Sequence, residues 1–537
     1  MKLISNVSQE KLRGGFYTPE PIANFILKWG INGRADCDIL EPSCGDGVFL
    51  EQLKKRKAPY RSLKAIEIEM EEARKASLIQ LNNKEIIVGD FHQFCNNTDL
   101  RFDLVVGNPP FIRYQYFDEA QQSEAEKLFA RSNLKFTRLT NAWVSFVVGA
   151  TQLLKEQGKI GFVLPAEILQ VSYAQQLRNF LAQQYDKINI ISFEKLVFPV
   201  IQQEVVLLLC EKNGNGTHLI EHLELKDSDD LENIDITLLK SPTKQIDFKS
   251  NKWTFYFLNQ EEINFLENVA TNKNIPAIGD FANVEVGITT GSNNFFTVPK
   301  SVVEMFNLQD YAKPMVGRSV QVNGPIFTLE DWKQNSAVQA KAHLLVFPER
   351  TKLQKNKDAM NYIRQGEKKG INKGYKCHIR DDWFVVPSIK VSDALFIRRN
   401  GLHPRLIVNE AKAYTTDTMH RVFTKENVNM NAFVASFYNS LSFAFSEISG
   451  RSYGGGVLEL MPSEVEKILL PYQNNNAGIL QIVSRMVRAN TNIDEILRVT
   501  NQKILAEGFG FTQHEIDLST NIWRKLSNRR INRGKWR

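Results

Sequence analysis

Asp38-Ile-Leu-Glu-Pro-Ser-Cys-Gly-Asp-Gly-Val-Phe-Leu-Glu-Gln-Leu53 reads as a strand that ends on Glu41, a tight loop, and the start of a helix at Val48. Pro42, Gly45 and Gly47 break the extended chain between the two. A strand, a glycine loop and a helix in that order are what a Rossmann-like sheet uses to bring backbone N–H groups close to a ligand. The glycines depart from the dinucleotide fingerprint G-x-G-x-x-G, since only Gly45 and Gly47 are present. The reading therefore rests on three more strand ends, spaced at regular intervals along the next 70 or so residues.

Ser62-Leu-Lys-Ala-Ile-Glu67 is a second strand, and its terminal acid stands 26 residues beyond Glu41, close to where a doubly wound fold places a ribose-binding carboxylate. Glu67 is thus a diol-binding candidate. A third strand, Glu85-Ile-Ile-Val-Gly-Asp90-Phe91, ends in an acid followed by an aromatic, a pair that can bond an amino group and cover a flat ring. A fourth, Phe102-Asp-Leu-Val-Val-Gly107, runs into Asn108-Pro-Pro-Phe111. Asn108 offers a carboxamide, two prolines stiffen the backbone, and Phe111 supplies an apolar face, so the loop can grip a planar group bearing an exocyclic amine. The same four residues also suit a plain Pro-rich turn. Four strand ends carrying Glu41, Glu67, Asp90 and Asn108 would line one edge of a parallel sheet, where ligands bind in such folds; each acid singly would also suit a solvated strand terminus.

Upstream, Gly14-Gly-Phe-Tyr-Thr18-Pro leads into a helix for which Thr18 is the expected N-cap. Downstream, a helix is expected from Asn141 to Leu154, a strand over Gly158–Pro165, a helix over Ala174–Leu181, and last strands at Lys187–Phe193 and Glu204–Cys210, joined by a loop that holds Phe198. From Asn213 onward turn signals and charged segments take over. The chain divides into a catalytic domain over residues 1–245, a recognition domain over 246–475, and a helical C-terminal segment with a basic tail over 476–537. The expected architecture is α/β: a Rossmann-like domain with a mostly parallel sheet, followed by a mixed α/β domain. Gly/Ser/Thr/Asn-rich loops at Val284–Asn294, Lys313–Arg318 and Ser449–Gly456, with Arg398, Arg399, His403 and Arg405, mark the part expected to read a polymer through phosphates and bases.

The 537 residues are 43% hydrophobic and 24% charged, without an 18-residue apolar run or a signal-peptide pattern, so a cytoplasmic protein with no membrane partner is expected. Cys37, Cys44, Cys95, Cys210 and Cys377 are scattered, with neither C-x-x-C nor a nearby His at ligand spacing, which argues against a disulfide framework and a zinc site; no metal is expected. The net charge is +7, and the last 14 residues hold seven Lys or Arg and no acid. Thr351–Arg380 carries nine Lys or Arg against two acids. Clusters of this kind attract polyanions, although a basic terminus is often simply solvated.

The series Phe16-Tyr-Thr-Pro19, Ile39-Leu-Glu-Pro-Ser-Cys-Gly-Asp-Gly-Val-Phe-Leu50, Ala65-Ile-Glu67, Gly89-Asp-Phe91 and Gly107-Asn-Pro-Pro-Phe111 resembles the S-adenosylmethionine-dependent amino-methyltransferases. More closely, it resembles the gamma-class N6-adenine DNA methyltransferases of the Taq type, in which cofactor motifs precede the Asn-Pro-Pro-aromatic motif and a target-recognition domain comes after it. The match spans residues 14 to 212. The resemblance implies a class I methyltransferase domain with S-adenosylmethionine as cofactor. It assigns Thr18 and Glu41, beside Gly45 and Gly47, to the methionine end, Glu67 to the ribose, and Asp90 and Phe91 to the adenine, with Pro110 nearby. Asn108 and Pro109 would hold the target amine, and Phe111 and Phe198 would stack on the flipped base. Double-stranded DNA is the implied partner, met as a monomer, with a cognate restriction endonuclease as a possible companion.

An adenine amino group is a poor nucleophile because its lone pair is delocalised into the ring. Two acceptors, the Asn108 side-chain oxygen and the Pro109 carbonyl, could bond both hydrogens and free the lone pair for direct in-line transfer. RNA or protein-glutamine methylation are the nearest alternatives, since similar loops serve them. A fused nuclease is another, on the D…E-x-K spacing of Asp393 and Glu410-Ala-Lys412.

Overall fold

In the computed structural model, which describes residues 18–112, 118–137, 141–198, 204–236, 239, 244–246, 252–272, 275–453 and 455–535, the four apolar runs pair side by side. Gly14 to Tyr17 and Pro199 lie outside the described residues. Strands β1 (Asp38–Glu41), β2 (Ser62–Glu67), β3 (Lys84–Val88) and β4 (Phe102–Gly107) are parallel, in the order β3-β2-β1-β4. All six residues of β4 are buried, as a parallel strand covered on both faces requires. β5 (Leu154–Pro165) continues the sheet in parallel. Beyond it come β6 (Lys187–Phe193) and β7 (Val205–Glu211), with β7 reversed and lying between β5 and β6. β8 (Leu219–Leu225) and β9 (Lys244–Gln245) bring the sheet to nine strands in the order β3-β2-β1-β4-β5-β7-β6-β8-β9.

Two local expectations are corrected. The first helix of the described residues, α1 (Glu20–Ile31), is capped by Pro19 and not by Thr18, with no side-chain cap bond. Pro19 and Pro21 preset the turn of entry, so a hydroxyl cap is not needed. β5 begins at Leu154, four residues before Gly158, because Leu154 pairs with Phe102 across a register shift in the β4–β5 ladder. The preceding helix, α2 (Trp143–Gln152), accordingly stops at Gln152.

This sheet and its helices form one compact unit reaching Gln260; a second spans Glu261–Ile531. The second unit is mixed α/β, as expected. Its five-stranded sheet centres on Ala394–Ile397, flanked antiparallel by Met419–Thr424 and Leu406–Asn409. Sheets of four and three strands accompany it. No helix of the described residues is long and apolar enough to cross a membrane.

Much of the basic C-terminal segment lies in a helix, Gln513–Lys535, and three of its cations, Arg524, Lys525 and Arg530, are engaged by residues of the second unit. Arg524 Nε donates to Asp494 at 2.7 Å and Lys525 Nζ to Glu262 at 2.8 Å. Arg530, 1% exposed, donates to both oxygens of Glu447 at 3.1 and 2.7 Å, and also to the carbonyls of Gly401 and Gly456. Replacing Arg530 with Ala leaves a buried carboxylate and two carbonyls bare, so urea unfolding should show a loss of about 3–5 kcal/mol. Two other expected polymer readers are also structural. His403 stacks on Phe443 at 5.7 Å, and burial lowers its pKa to about 4. Arg405 donates to the carbonyls of Val322 and Ser319 at 3.1 and 3.0 Å.

Candidate active site

Because β1 to β4 are parallel, their C-terminal ends open on one edge. That edge carries, in spatial order, Asp90, Glu67, Glu41 and Asn108. The four residues spaced along the sequence are thus brought to one line.

The glycine loop is stitched to the end of β2. Cys44 N–H donates to the Ile66 carbonyl at 2.9 Å and Gly45 N–H to Glu67 Oε2 at 2.8 Å, while Glu69 N–H takes Glu67 Oε1 at 2.9 Å. The Ile68 N–H also acts on this carboxylate, and the three backbone donors do not exhaust its acceptor sites, which suits a diol. Gly45 and Gly47 have φ of +53° and +98°, a region that L side chains rarely enter. A Cβ on Gly47 would also lie 2.6 Å from Ile79 Cδ1. Gly47→Ala should therefore cost on the order of 1–3 kcal/mol in thermal or urea unfolding, through strain and displacement of Ile79.

Glu41 is 1% exposed, and its Oε2 has no hydrogen-bond partner among the described residues. Burial, then the nearby charges of Glu67 and Asp46, push its carboxyl well above the usual range. An acid walled in by other acids is a poor structural choice. It becomes a good one when a cationic group docks against it.

Asp90 is the N-cap of the helix that comes after β3 (Phe91–Asn97), its Oδ1 accepting from Gln93 N–H at 2.8 Å. Its other oxygen meets His92 Nδ1 at 3.3 Å, and His92 Nε2 meets Ser145 Oγ at 2.6 Å. Burial raises the Asp90 carboxyl, but the bond and charge of His92 and the Gln93 N–H outweigh it and hold the pKa below the ordinary value. His92 carries one local signal in the sequence, its place two residues after a strand-end acid, and Ser145 carries none. Phe91, expected to cover an adenine ring, is 2% exposed and stacked on Phe146 at 5.0 Å, so its ring belongs to the core.

Asn108 is half-buried, and its carbonyl accepts a bond of 3.4 Å from Ser43 Oγ, linking the loop to the glycine turn. Pro109 is buried; Pro110 and Phe111 are half-buried. β6 runs parallel to β4, so the connection after Phe193, which holds Phe198, starts from the same edge. Phe198 is 5% exposed within an apolar cluster against which Phe111 packs. Thr18, 6% exposed, immediately precedes the α1 cap. Asp393, of the D…E-x-K spacing, accepts from Thr424 N–H and hydroxyl at 3.2 and 3.4 Å, while Glu410 is exposed.

A sheet running β3-β2-β1-β4-β5-β7-β6 with β7 reversed, and with acids and a glycine loop on its C-terminal edge, defines a class I S-adenosylmethionine-dependent methyltransferase fold. Comparison with known proteins narrows this class. Residues 44–198 match the Eco57I restriction-modification methylase family, and residues 250–505 match the C-terminal domain of the type II methyltransferase M.Eco57I. Both matches fall in order along one chain, which is thus similar over residues 44–198 and 250–505 to the Eco57I-like type II restriction-modification methyltransferases. It is 25% identical to type II methyltransferase M.AccI of Acinetobacter calcoaceticus over 527 residues, 93% of this chain and 94% of that protein. It is 30% identical to M.BanIII of Aneurinibacillus aneurinilyticus over 211 residues, 34% of this chain and 35% of that one. Its fold is similar to that of a DrdV–DNA complex, with a TM-score of 0.50 at 12% identity over 91% of this chain and 58% of that one.

Proposed function

We propose that the protein transfers a methyl group from S-adenosylmethionine to N6 of an adenine flipped out of duplex DNA, as the modification enzyme of a restriction-modification system. The observation that carries this reading is the single line of Asp90, Glu67, Glu41 and Asn108, with the Asn108 loop tied to the glycine turn through Ser43. The bare oxygen of Glu41, the glycine cradle and the half-engaged Glu67 fit a cofactor with a cationic amino-acid end and a ribose. Bound there, S-adenosylmethionine would supply an electrophilic methyl group.

The chain's own residues do the rest. Asn108 Oδ1 and the Pro109 carbonyl accept hydrogen bonds from the two N6–H groups and turn the lone pair toward the methyl group; once the new N–C bond has formed, the methylated nitrogen loses one proton to solvent. Asp90 holds the adenine amino group of the cofactor, oriented by His92. A base stacked in a duplex cannot reach this edge, so it is flipped, and the apolar cluster of Phe111 and Phe198 offsets a few kcal/mol of unstacking. The enzyme acts as a monomer on DNA, and the names of its relatives support a cognate endonuclease as partner.

Labelled cofactor and duplex DNA, followed by digestion to nucleosides, test the reading. Labelled N6-methyldeoxyadenosine is expected. Label in N4-methylcytosine, or only in RNA or protein, overturns it.

A further inference from the structure

The two basic clusters of the sequence part company in the structure. In the C-terminal helix, Arg524, Lys525 and Arg530 are paired with acids. Along residues 351–380, Arg380 donates to the Thr290 and Thr289 carbonyls at 2.9 and 3.1 Å, but Lys357, Arg364, Lys368, Lys369, Lys373 and Lys376 are all exposed and make no ion pair among the described residues. The two acids of this stretch are engaged elsewhere. Glu367 accepts from Arg350 at 3.1 Å and Trp383 at 3.2 Å, and Asp358 accepts from Asn307 at 3.1 Å.

The placement has a structural origin. Helix Lys357–Lys368 buries Ala359, Met360, Tyr362 and Ile363 in an apolar core of the second unit, which forces Lys357, Arg364 and Lys368 outward. Gly370, at φ +73°, then turns the chain so that Lys373 and Lys376 extend the charged surface. Tyr375 and Ile379, 75% and 61% exposed, give that surface a flat apolar border. Packing requires the buried face but not six unpaired cations on the other side. Their mutual repulsion is relieved by a polyanion with closely and regularly spaced charges.

We infer that the exposed face of residues 357–376 grips the sugar–phosphate backbone of duplex DNA, supplying sequence-independent affinity and leaving base reading to other parts of the second unit. This inference rests on the proposed action on DNA. The test compares the unmutated chain with a quadruple variant, Lys368→Gln, Lys369→Gln, Lys373→Gln and Lys376→Gln, in binding to a fluorescent random-sequence duplex at several salt concentrations. Each phosphate contact contributes about 0.9 to the slope of log affinity against log salt, so loss of all four should flatten it by roughly 3 to 4. Affinity should fall to the same degree on random and preferred sequences. The matching quadruple Lys→Arg variant should restore the slope, which separates lost charge from lost folding. An unchanged slope in the Gln variant, with normal binding by the unmutated chain, overturns this inference alone. An unmutated chain that does not bind duplex DNA overturns the reading beneath it, and a slope change confined to duplex RNA overturns the choice of DNA.

Discussion

Replacing Asn108 with Ala should lower the rate of methyl transfer by roughly 10²–10³-fold, the usual cost of removing one preorganised polar group aimed at the reacting atoms. Cofactor binding should stay largely intact, because Glu41 and Glu67 lie on the neighbouring strands β1 and β2 and the loop's link to the glycine turn runs through the Asn108 carbonyl, which Ala keeps. Without the carboxamide one N6 hydrogen loses its acceptor, and the lone pair drifts back into the ring. Single-turnover rates set beside equilibrium cofactor titration separate the two effects. Equal loss of both would mean that Asn108 only shapes the turn.

Glu41→Gln should act in opposite directions on stability and on binding. Burial first, then Glu67 and Asp46, raise the folded-state pKa of Glu41 above its unfolded value. The folded chain therefore holds the proton more tightly than the unfolded one. The stability this contributes is complete below the ordinary carboxylate pKa and is lost as pH rises through the folded value. Glutamine carries no such dependence. At neutral to alkaline pH the variant should be more stable by about 1–3 kcal/mol, the cost of an unsatisfied buried polar group, and at acid pH the two should converge. Each kcal/mol is worth about 2–4 °C in melting temperature for a domain of this size. Cofactor affinity should meanwhile fall by roughly 10²-fold, since the charge that would face a cationic group is gone. Melting curves across pH, with and without cofactor, measure both. A variant that binds the cofactor normally would make Glu41 no more than a buried acid of the core.

What could be read from the sequence is what short-range physics decides. Strands β1 to β4, the glycine loop and the Asn108 turn are each encoded within about a dozen residues by apolar runs and backbone breakers, and parallel pairing then sets their ends in line. What could not be read depends on distant partners. Phe91 looks like a ring free to cover a ligand until Phe146 is brought against it. The link from Asp90 through His92 needs Ser145, 53 residues on from His92. The basic tail reads as a loose polycation because Glu447, 83 residues before Arg530, carries no local mark of its partner. The early start of β5 reflects a register shift that only the ladder with β4 defines.

The reversed β7 constrains how the chain can be made and cut. It occupies the slot between β5 and β6 yet is synthesised after both. Until residue 211 leaves the ribosome, that slot is vacant, and two apolar strands present bare hydrogen-bonding edges to any other nascent chain. A fragment ended at residue 198, where the methylase-family match stops, would carry the whole candidate edge and still be sticky and half-assembled. The shortest piece that closes the sheet around Asn108 must reach at least Glu211.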